Sequence, residues 1–236
     1  MASRIKRDIL RAILRVGINF GNALLASRED AGGAPRGIAV DLAQELGRRL
    51  RVPIEIVGYE SAATMAEAAK EGAWDVAFLA TDPGRANDIA FTAPYVEIEA
   101  TYFVPAGSPL RTMADVDREG VRVAVSDKSA YDLFLRRSAH RAEFVRAPSV
   151  DASVTLFFAE QLDALAGLRP LLMALAEQHP GSRVLDGRFT AVQQAIGTPT
   201  GRDATYLEAF VADVKASGFV AAAIEKHGMR GLVAAA

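Results

Sequence analysis

Short apolar runs alternate along the chain with segments of helical periodicity. Strand patterns cover residues 14–18, 52–57 and 76–80, and between them lie helix patterns at 37–50 and 62–71, with apolar residues three to four positions apart. The last of these strands is apolar without interruption, which is typical of a strand buried on both faces. The order strand, helix, strand, helix, strand predicts an α/β fold with a parallel sheet and right-handed crossovers.

The pattern changes after Tyr95. Residues 97–105 alternate in polarity and are rich in β-branched and aromatic side chains, which predicts a long strand that leaves the first sheet. A second series of strands and helices begins at 120–125 and ends before a further apolar strand at 189–196. Two crossings therefore bracket the second series, and we expect one domain inserted into another. The predicted lobe one comprises residues 1–103 and 198–236, and the inserted lobe two comprises 104–197.

The composition of the chain mainly excludes classes of partner and cofactor. The chain has 236 residues, half of them hydrophobic, so it can bury a sizeable core. Its formal net charge of -2, with acidic and basic residues interspersed, argues against nucleic acid as a partner. There is no cysteine, and the three histidines lie far apart without a second ligand at metal spacing. No phosphate-cradling glycine loop is present either, so we expect neither a metal nor a cofactor.

The first residues do not decide in which cellular compartment the protein lies. Residues 5–14 have the spacing of a short amphipathic helix, and Asp8, Arg11 and Arg15 interrupt what would be the apolar core of a signal peptide. No later apolar run reaches the roughly 18 to 20 residues that a membrane helix needs. Two alternatives follow: a periplasmic protein whose signal has been removed, or a cytoplasmic protein.

Candidate binding residues follow the strands of lobe one. The turn that begins at Asp82 delivers Arg85 just past a buried strand, where ligands bind in parallel sheets. A guanidinium suits a carboxylate there, because it can hold it with two parallel hydrogen bonds. After strand one, Asn19 and Phe20 occupy a loop in which the ring is placed to stack on a ligand. The structural alternatives are a solvated salt bridge for Arg85 and a core position for Phe20.

Further candidates lie in lobe two and at the first crossing. Ser126 and Ser129 sit at a predicted strand-to-helix turn, where hydroxyls and free helix amides can bind an anion. The alternative is that one of these serines simply caps the helix. Glu97 and Glu99 alternate on the crossing strand, and they either face solvent or meet a cationic ligand.

The order of several segments resembles a known family. These segments are Leu14-Arg-Val-Gly, Gly37-x-x-x-Asp41-Leu-Ala, Trp74-Asp75-Val-Ala, Asp82-Pro-Gly-Arg85 and Asp88-Ile-Ala-Phe-Thr-Ala-Pro-Tyr95. Together they resemble the amino-acid class (family 3) of solute-binding proteins of bacterial ABC transporters. The resemblance covers nearly the whole chain and implies a type II, two-lobe periplasmic-binding-protein-like clamp. Each lobe would be a mostly parallel sheet flanked by helices, with two hinge crossings and a ligand in the cleft between the lobes.

The resemblance also implies roles for individual residues. Arg85 matches the carboxylate-binding arginine of the family, and Ser129 with its neighbours matches the helix start in lobe two that contacts the carboxylate from the other side. Ala80 lies where the family often has Ser or Thr, so only its backbone can serve. Asp82 stands where many members have Thr.

One departure from the family pattern concerns the ligand's ammonium group. Members that bind α-amino acids commonly read Asp-Ala-x-x-x-Asp-x-Pro, whereas this chain reads Asp163-Ala-Leu-Ala-Gly-Leu-Arg-Pro170. Leu168 thus replaces the acid that pairs with the ammonium, and Arg169 adds a nearby positive charge. A lost partner costs about 1 to 3 kcal/mol or more when buried. The sequence therefore predicts discrimination against ordinary α-amino acids, provided that neither Asp82 nor Glu97 replaces the missing acid.

The combined prediction is a monomeric solute-binding protein rather than an enzyme. It would capture a small carboxylate-bearing metabolite, amino-acid-like or an organic acid, and present it to a membrane ABC transporter permease. The predicted ligand-binding residues are Arg85, Asn19, Phe20, Ala80, Asp82, Ser126, Ser129, Leu168 and Arg169. The first alternative is an enzyme resembling cyclohexadienyl dehydratase, in which a buried carboxylic acid protonates a leaving hydroxyl. The second is a stand-alone ligand sensor.

Overall fold

The structure is a computed structural model of the chain, and it describes residues 13–28, 33–229 and 231–235. It divides into two compact units. Unit 1 extends to Glu97 and resumes at Gln193, and unit 2 comprises Ile98–Val192. The lobe boundaries given above stay a prediction. The amphipathic segment predicted at 5–14 lies, up to residue 12, outside the described residues.

The elements run in chain order through both units. Up to the first crossing they are β1 (Leu14–Asn19), β2 (Ser27–Arg28), β3 (Pro35–Arg36), α1 (Ile38–Leu50), β4 (Ile54–Tyr59), α2 (Ala62–Glu67), β5 (Val76–Ala80), a 3-10 turn (Pro83–Arg85), β6 (Ile89–Phe91) and β7 (Val96–Val104). Next come α3 (Met113–Val116), β8 (Arg122–Ser126), α4 (Ala130–Ser138), β9 (Glu143–Ala147), α5 (Val150–Ala159), β10 (Ala164–Leu168), α6 (Arg169–Gln178) and β11 (Arg183–Val184). The chain continues with β12 (Thr190–Pro199), α7 (Thr205–Ala216), α8 (Phe219–Lys226) and β13 (Val233–Ala234). Strands β7 and β12 each begin in one unit and end in the other.

The strands of unit 1 are parallel where the sequence predicts them to be. Strand β1 lies between β4 and β5 and pairs with both in parallel, with Leu14 opposite Ile54 and Val16 opposite Val76. Strand β12 then pairs antiparallel with β5, and the short β6 pairs antiparallel with β12. The predicted α/β class is confirmed. Since β4, β1 and β5 point the same way, the loops that follow them leave from one edge of the sheet.

The core of unit 1 forms around Trp74. This ring is fully buried, packs with Met65, Leu79 and Ile89, and donates its Nε1 hydrogen to the Met65 carbonyl at 3.0 Å. Helix α2 ends at Glu67, four residues earlier than the sequence predicts. The chain tightens there into turns that end near Gly72, because it must reverse direction to bring Trp74 beneath the helix.

Unit 2 repeats the parallel arrangement. Strand β8 pairs in parallel with β9 and β10, while β7 pairs antiparallel with β10. The core contains Phe103 and Phe157, whose rings meet edge to face at 5.4 Å. Strand β10 begins only at Ala164, because the backbone amide of Leu162 still bonds to the Phe157 carbonyl in the preceding turn. Leu168 is therefore the last residue of β10. None of the described helices is long and apolar enough to cross a membrane.

Candidate functional site

Arg85 lies in the tight turn that follows β5. Asp82 caps this turn by accepting the Gly84 amide on Oδ1 at 2.7 Å, and the Arg85 amide donates to the Asp82 carbonyl at 2.9 Å. The Arg85 residue is only 5% exposed, and its Nη1 donates to the Ala80 carbonyl at 2.7 Å. The alternative of a solvated surface residue is therefore wrong for Arg85.

Burial lowers the pKa of the Arg85 guanidinium to about 10, and the nearby Asp82 carboxylate opposes this shift. The side chain thus remains charged at neutral pH in a site that is largely shielded from water. Ala80, which lacks a hydroxyl, takes part through its backbone, because its carbonyl holds the arginine. That Arg85 binds a ligand carboxylate stays a prediction.

Asn19 and Phe20 lie on the neighbouring strand end. The Asn19 Oδ1 accepts the Gly21 amide at 3.0 Å, and the Phe20 amide donates to the Tyr59 carbonyl at 2.8 Å. The Phe20 ring is half-buried, and the guanidinium carbon of Arg28 lies 4.3 Å from its centroid. Nothing in the local sequence pattern connects Arg28 to Phe20, so this contact could not be predicted from the sequence.

Gly21 explains how close the loop comes to its neighbour. An ideal Cβ added at Gly21 would lie 2.2 Å from the Glu60 carbonyl oxygen, so a side chain at this position would displace the backbone after β4. The loops after β1 and β4 are therefore packed directly against each other. Asn19, Phe20, Ala80, Asp82 and Arg85 all follow or end parallel strands of unit 1.

Ser126 and Ser129 frame the turn between β8 and α4. Both are buried, and the Ser129 hydroxyl caps the helix by accepting the Asp132 amide at 3.1 Å. The capping alternative is thus correct for Ser129, and a cap does not exclude a second role in binding. Tyr131 joins the two serines: burial raises the pKa of its hydroxyl to about 12, and hydrogen bonds with Ser129 and Ser126 partly offset the rise.

Asp132 stabilises this turn, and it is not among the residues predicted from the sequence. The residue is fully buried, and its carboxylate accepts the Lys128 amide at 2.9 Å, Arg136 Nε at 2.9 Å and Arg146 Nε at 3.0 Å. Lys128 has a left-handed backbone with φ of 52°. Charge-assisted bonds to Asp132 fix this conformation and therefore the positions of both serines. The acidic residue three positions after the helix cap was the available signal.

Leu168 and Arg169 mark the end of β10 in unit 2. Leu168 is buried, and it provides no side-chain cap to α6. Arg169 donates from Nε to Glu99 at 2.7 Å, from Nη1 to the Leu185 carbonyl at 3.4 Å, and from Nη2 to the Gly187 carbonyl. The positive charge of Arg169 is thus balanced by Glu99, which weakens the like-charge repulsion that the sequence analysis assigned to it. Whether Leu168 and Arg169 contact a ligand stays a prediction.

No group of three or more His, Asp or Glu side chains within residues 13–28, 33–229 and 231–235 is placed to hold a metal ion. Each unit has polar residues at the ends of its strands. Unit 1 brings together Arg85, Asp82 and Ala80, and unit 2 brings together Ser126 and Ser129.

Two α/β units connected through β7 and β12 define the type II periplasmic-binding-protein fold, and solved structures of that fold resemble this chain. A solute receptor for L-cysteine from Neisseria gonorrhoeae matches with a TM-score of 0.81 at 23% identity, covering 96% of this chain and 94% of that one. An ancestral amino-acid-binding protein, described as a precursor of cyclohexadienyl dehydratase, matches with 0.79 at 18% identity over 94% and 97%. An amino acid ABC transporter substrate-binding protein from Streptococcus pneumoniae, bound to L-arginine, matches with 0.76 at 20% identity over 94% and 96%.

The sequence itself gives the family. Residues 14–230 match the model of the bacterial extracellular solute-binding proteins, family 3, so the chain belongs to that family. The family resemblance stated from the sequence segments is thereby confirmed. A comparison with curated protein sequences finds no match.

Proposed function

We propose that this chain is the solute-binding component of a bacterial ABC transporter, and that it captures a small carboxylate-bearing metabolite in the periplasm. The observation that carries the proposal is Arg85, a charged guanidinium that is 5% exposed and fixed beyond the end of a buried strand. A guanidinium at this position suits a carboxylate, since the two groups can form charge-assisted hydrogen bonds that are strong where water is largely excluded. Membership of an extracellular solute-binding family supports the location.

The ligand class follows from two opposing considerations. The similar structures are described as binding L-cysteine or L-arginine, which favours an amino-acid-like ligand. The buried Leu168, however, offers no charge to an α-ammonium group. We therefore propose a carboxylate, with or without a weakly held amino group, as the ligand.

Transport would use the differential affinity of the ligand for two arrangements of the units. A ligand that contacts both units favours the arrangement in which both sets of contacts are made, and the permease would recognise that arrangement. The protein is proposed to act as a monomer in this cycle.

The dehydratase-like alternative requires a carboxylic acid that stays protonated near neutral pH. The carboxyl groups of Glu45, Asp75, Asp115, Asp117 and Asp203 have pKa values below their ordinary range, so none of these five is such an acid. The binding role is preferred because it rests on the buried position of Arg85 beyond the end of β5.

Arg85→Lys tests the proposal, because lysine keeps the charge but loses the paired donors of the guanidinium. Mass spectrometry of ligand released on denaturation of the purified protein identifies the ligand, and calorimetry then compares the variants. We expect Arg85→Lys to weaken binding by roughly ten- to a hundredfold, and Arg85→Ala to cost about 2 to 5 kcal/mol.

The matched control is Arg122→Ala, which removes an arginine paired with Glu160 at 2.6 Å. It should leave the affinity unchanged. Equal affinities of Arg85→Lys, Arg85→Ala and the unmodified protein, with circular dichroism showing that all are folded, would contradict the role of Arg85.

A further inference from the structure

The guanidinium of Arg28 is held by an aromatic ring and a carboxylate. Its central carbon lies 4.3 Å from the centroid of Phe20, and its Nη2 donates to Glu60 Oε1 at 3.0 Å. The other arginine–aromatic contacts of the described residues are longer, at 5.2 Å and 5.8 Å. A ring face combined with a carboxylate is an arrangement that binds a guanidinium group well, whether it belongs to the protein or to a ligand.

Two glycines make the space for this contact. A Cβ added at Gly58 would lie 2.7 Å from the Phe20 ring and 3.2 Å from Arg28 Nη2. A Cβ added at Gly21 would collide with the Glu60 carbonyl at 2.2 Å. Any larger residue at either position would displace the ring or the loop that carries the carboxylate. Gly58 therefore leaves room for the Arg28 stack, and Gly21 lets the loop after β1 approach the backbone of Glu60.

The stack lies at the edge of the sheet from which Arg85 also emerges. Phe20 follows β1, Glu60 follows β4, and Arg85 follows β5 on the other side of β1. Neighbouring strands are about 4.8 Å apart, so the Glu60 and Arg85 positions are separated by on the order of 10 Å along this edge. A small ligand with two charged ends spans such a distance.

We infer that Phe20 and Glu60 form a guanidinium subsite which the chain fills with its own Arg28, so that the protein excludes ligands carrying a distal cation. The tether gives Arg28 an effective concentration in the millimolar range or above, which a free ligand must overcome. That Arg28 occupies the subsite does not depend on the proposed function. The consequence for ligand choice rests on the proposed binding of a carboxylate by Arg85.

Removal of Arg28 should open the subsite to free guanidines. We would titrate Arg28→Ala and the unmodified protein with ethylguanidine and with ethylamine, following backbone amide shifts by NMR. Ethylguanidine should bind Arg28→Ala about tenfold or more tightly than it binds the unmodified protein, and ethylamine should show a smaller gain, because only the planar cation both stacks and pairs.

The double variant Arg28→Ala with Glu60→Gln should lose the gain in affinity for ethylguanidine. The control Arg122→Ala removes an arginine–carboxylate pair for which the described contacts include no aromatic ring, and it should gain nothing.

A second probe separates this inference from the proposed function. 4-Guanidinobutyrate and 6-guanidinohexanoate carry a carboxylate and a guanidinium without an α-amino group. At least one should bind Arg28→Ala more tightly than ethylguanidine does, because Arg85 would hold the carboxylate. If ethylguanidine gains affinity and these acids bind no better than it does, the subsite is supported and the carboxylate role of Arg85 is contradicted.

Two results would overturn the inference. The first is a folded Arg28→Ala, or a folded Arg28→Gln if the alanine variant does not fold, that binds ethylguanidine no better than the unmodified protein does. The second is tight binding of a linear dicarboxylate by the unmodified protein that is lost in Arg28→Ala, since Arg28 would then bind an acidic group of the ligand.

Discussion

Arg85 and Arg169 both follow buried strands, yet their guanidinium groups have different partners. Arg85 is held by the Ala80 carbonyl, with Asp82 nearby, whereas Arg169 is paired with Glu99 and two carbonyls of the segment before β12. An arginine whose charge is balanced in this way gives little repulsion to an ammonium group. Any discrimination against α-amino acids therefore depends on Leu168.

Tyr95 provides a test of a single buried hydroxyl. The residue is fully buried in unit 1, its ring meets Phe78 edge to face, and its hydroxyl has no hydrogen-bond partner among the described residues. Tyr95→Phe should leave the free energy of unfolding unchanged or raise it by about 1 kcal/mol, because no hydrogen bond is lost and a desolvated polar group is removed. Urea denaturation measures the change.

Tyr131→Phe is the matched control for that substitution. Its hydroxyl bonds with Ser126 and Ser129, so its loss should lower the free energy of unfolding by about 1 kcal/mol or more. A fall of similar size in Tyr95→Phe would show that the Tyr95 hydroxyl does have a partner in solution.

At the scale of elements, helix α1 is tied at its C-terminal half by Glu45. The carboxylate accepts from Arg48 at 2.7 Å and from Arg49 at 2.7 Å, and Arg49 also reaches Asp213 on α7 at 2.5 Å. These hydrogen bonds lower the pKa of Glu45 to about 2. Through Arg49, the Glu45 carboxylate therefore connects the C-terminal end of α1 to α7.

This shift predicts a defined pH dependence. The folded-state pKa is about 2, below the ordinary value of 4.5, so the stabilisation is present above about pH 4.5 and is lost as the pH falls toward 2. Glu45→Gln should lower the free energy of unfolding by roughly 1 kcal/mol at pH 7, since the pair is near the surface. Denaturation curves at pH 7, 4 and 2 should show the two proteins converging at the lowest pH; a constant difference would mean that the charge is not the cause.

For the whole molecule, the ligand class is the main prediction. In a thermal-shift screen, we expect mono- and dicarboxylates to raise the midpoint of the unmodified protein more than the standard amino acids do, because binding stabilises the folded state by mass action. Leu168→Asp should reverse the preference toward α-amino acids by restoring an acid for the ammonium.

Leu168→Asn is the control for polarity without charge. The uncharged amide should give a smaller gain for amino acids than the aspartate. Strong stabilisation of the unmodified protein by a common amino acid, with none by the carboxylates, would show that another acidic residue holds the ammonium.

The sequence by itself determined the α/β class, the parallel strands and the positions of the candidate residues at strand ends. Local periodicity carries that information, because the same apolar spacing that forms a strand or helix also buries it. It also placed Arg85 correctly just past β5, since a strand that is apolar throughout must end where the Asp-Pro-Gly turn begins.

Only the tertiary structure decided which groups these residues contact. Arg28 meets Phe20 and Glu60 because β1 and β4 pair in a fixed register, and Glu60 lies 32 positions away in the chain. Arg169 meets Glu99 across 70 positions, because β10 pairs with β7. Ion pairs and stacking depend on distances of a few ångströms between remote segments, and no local pattern encodes those distances.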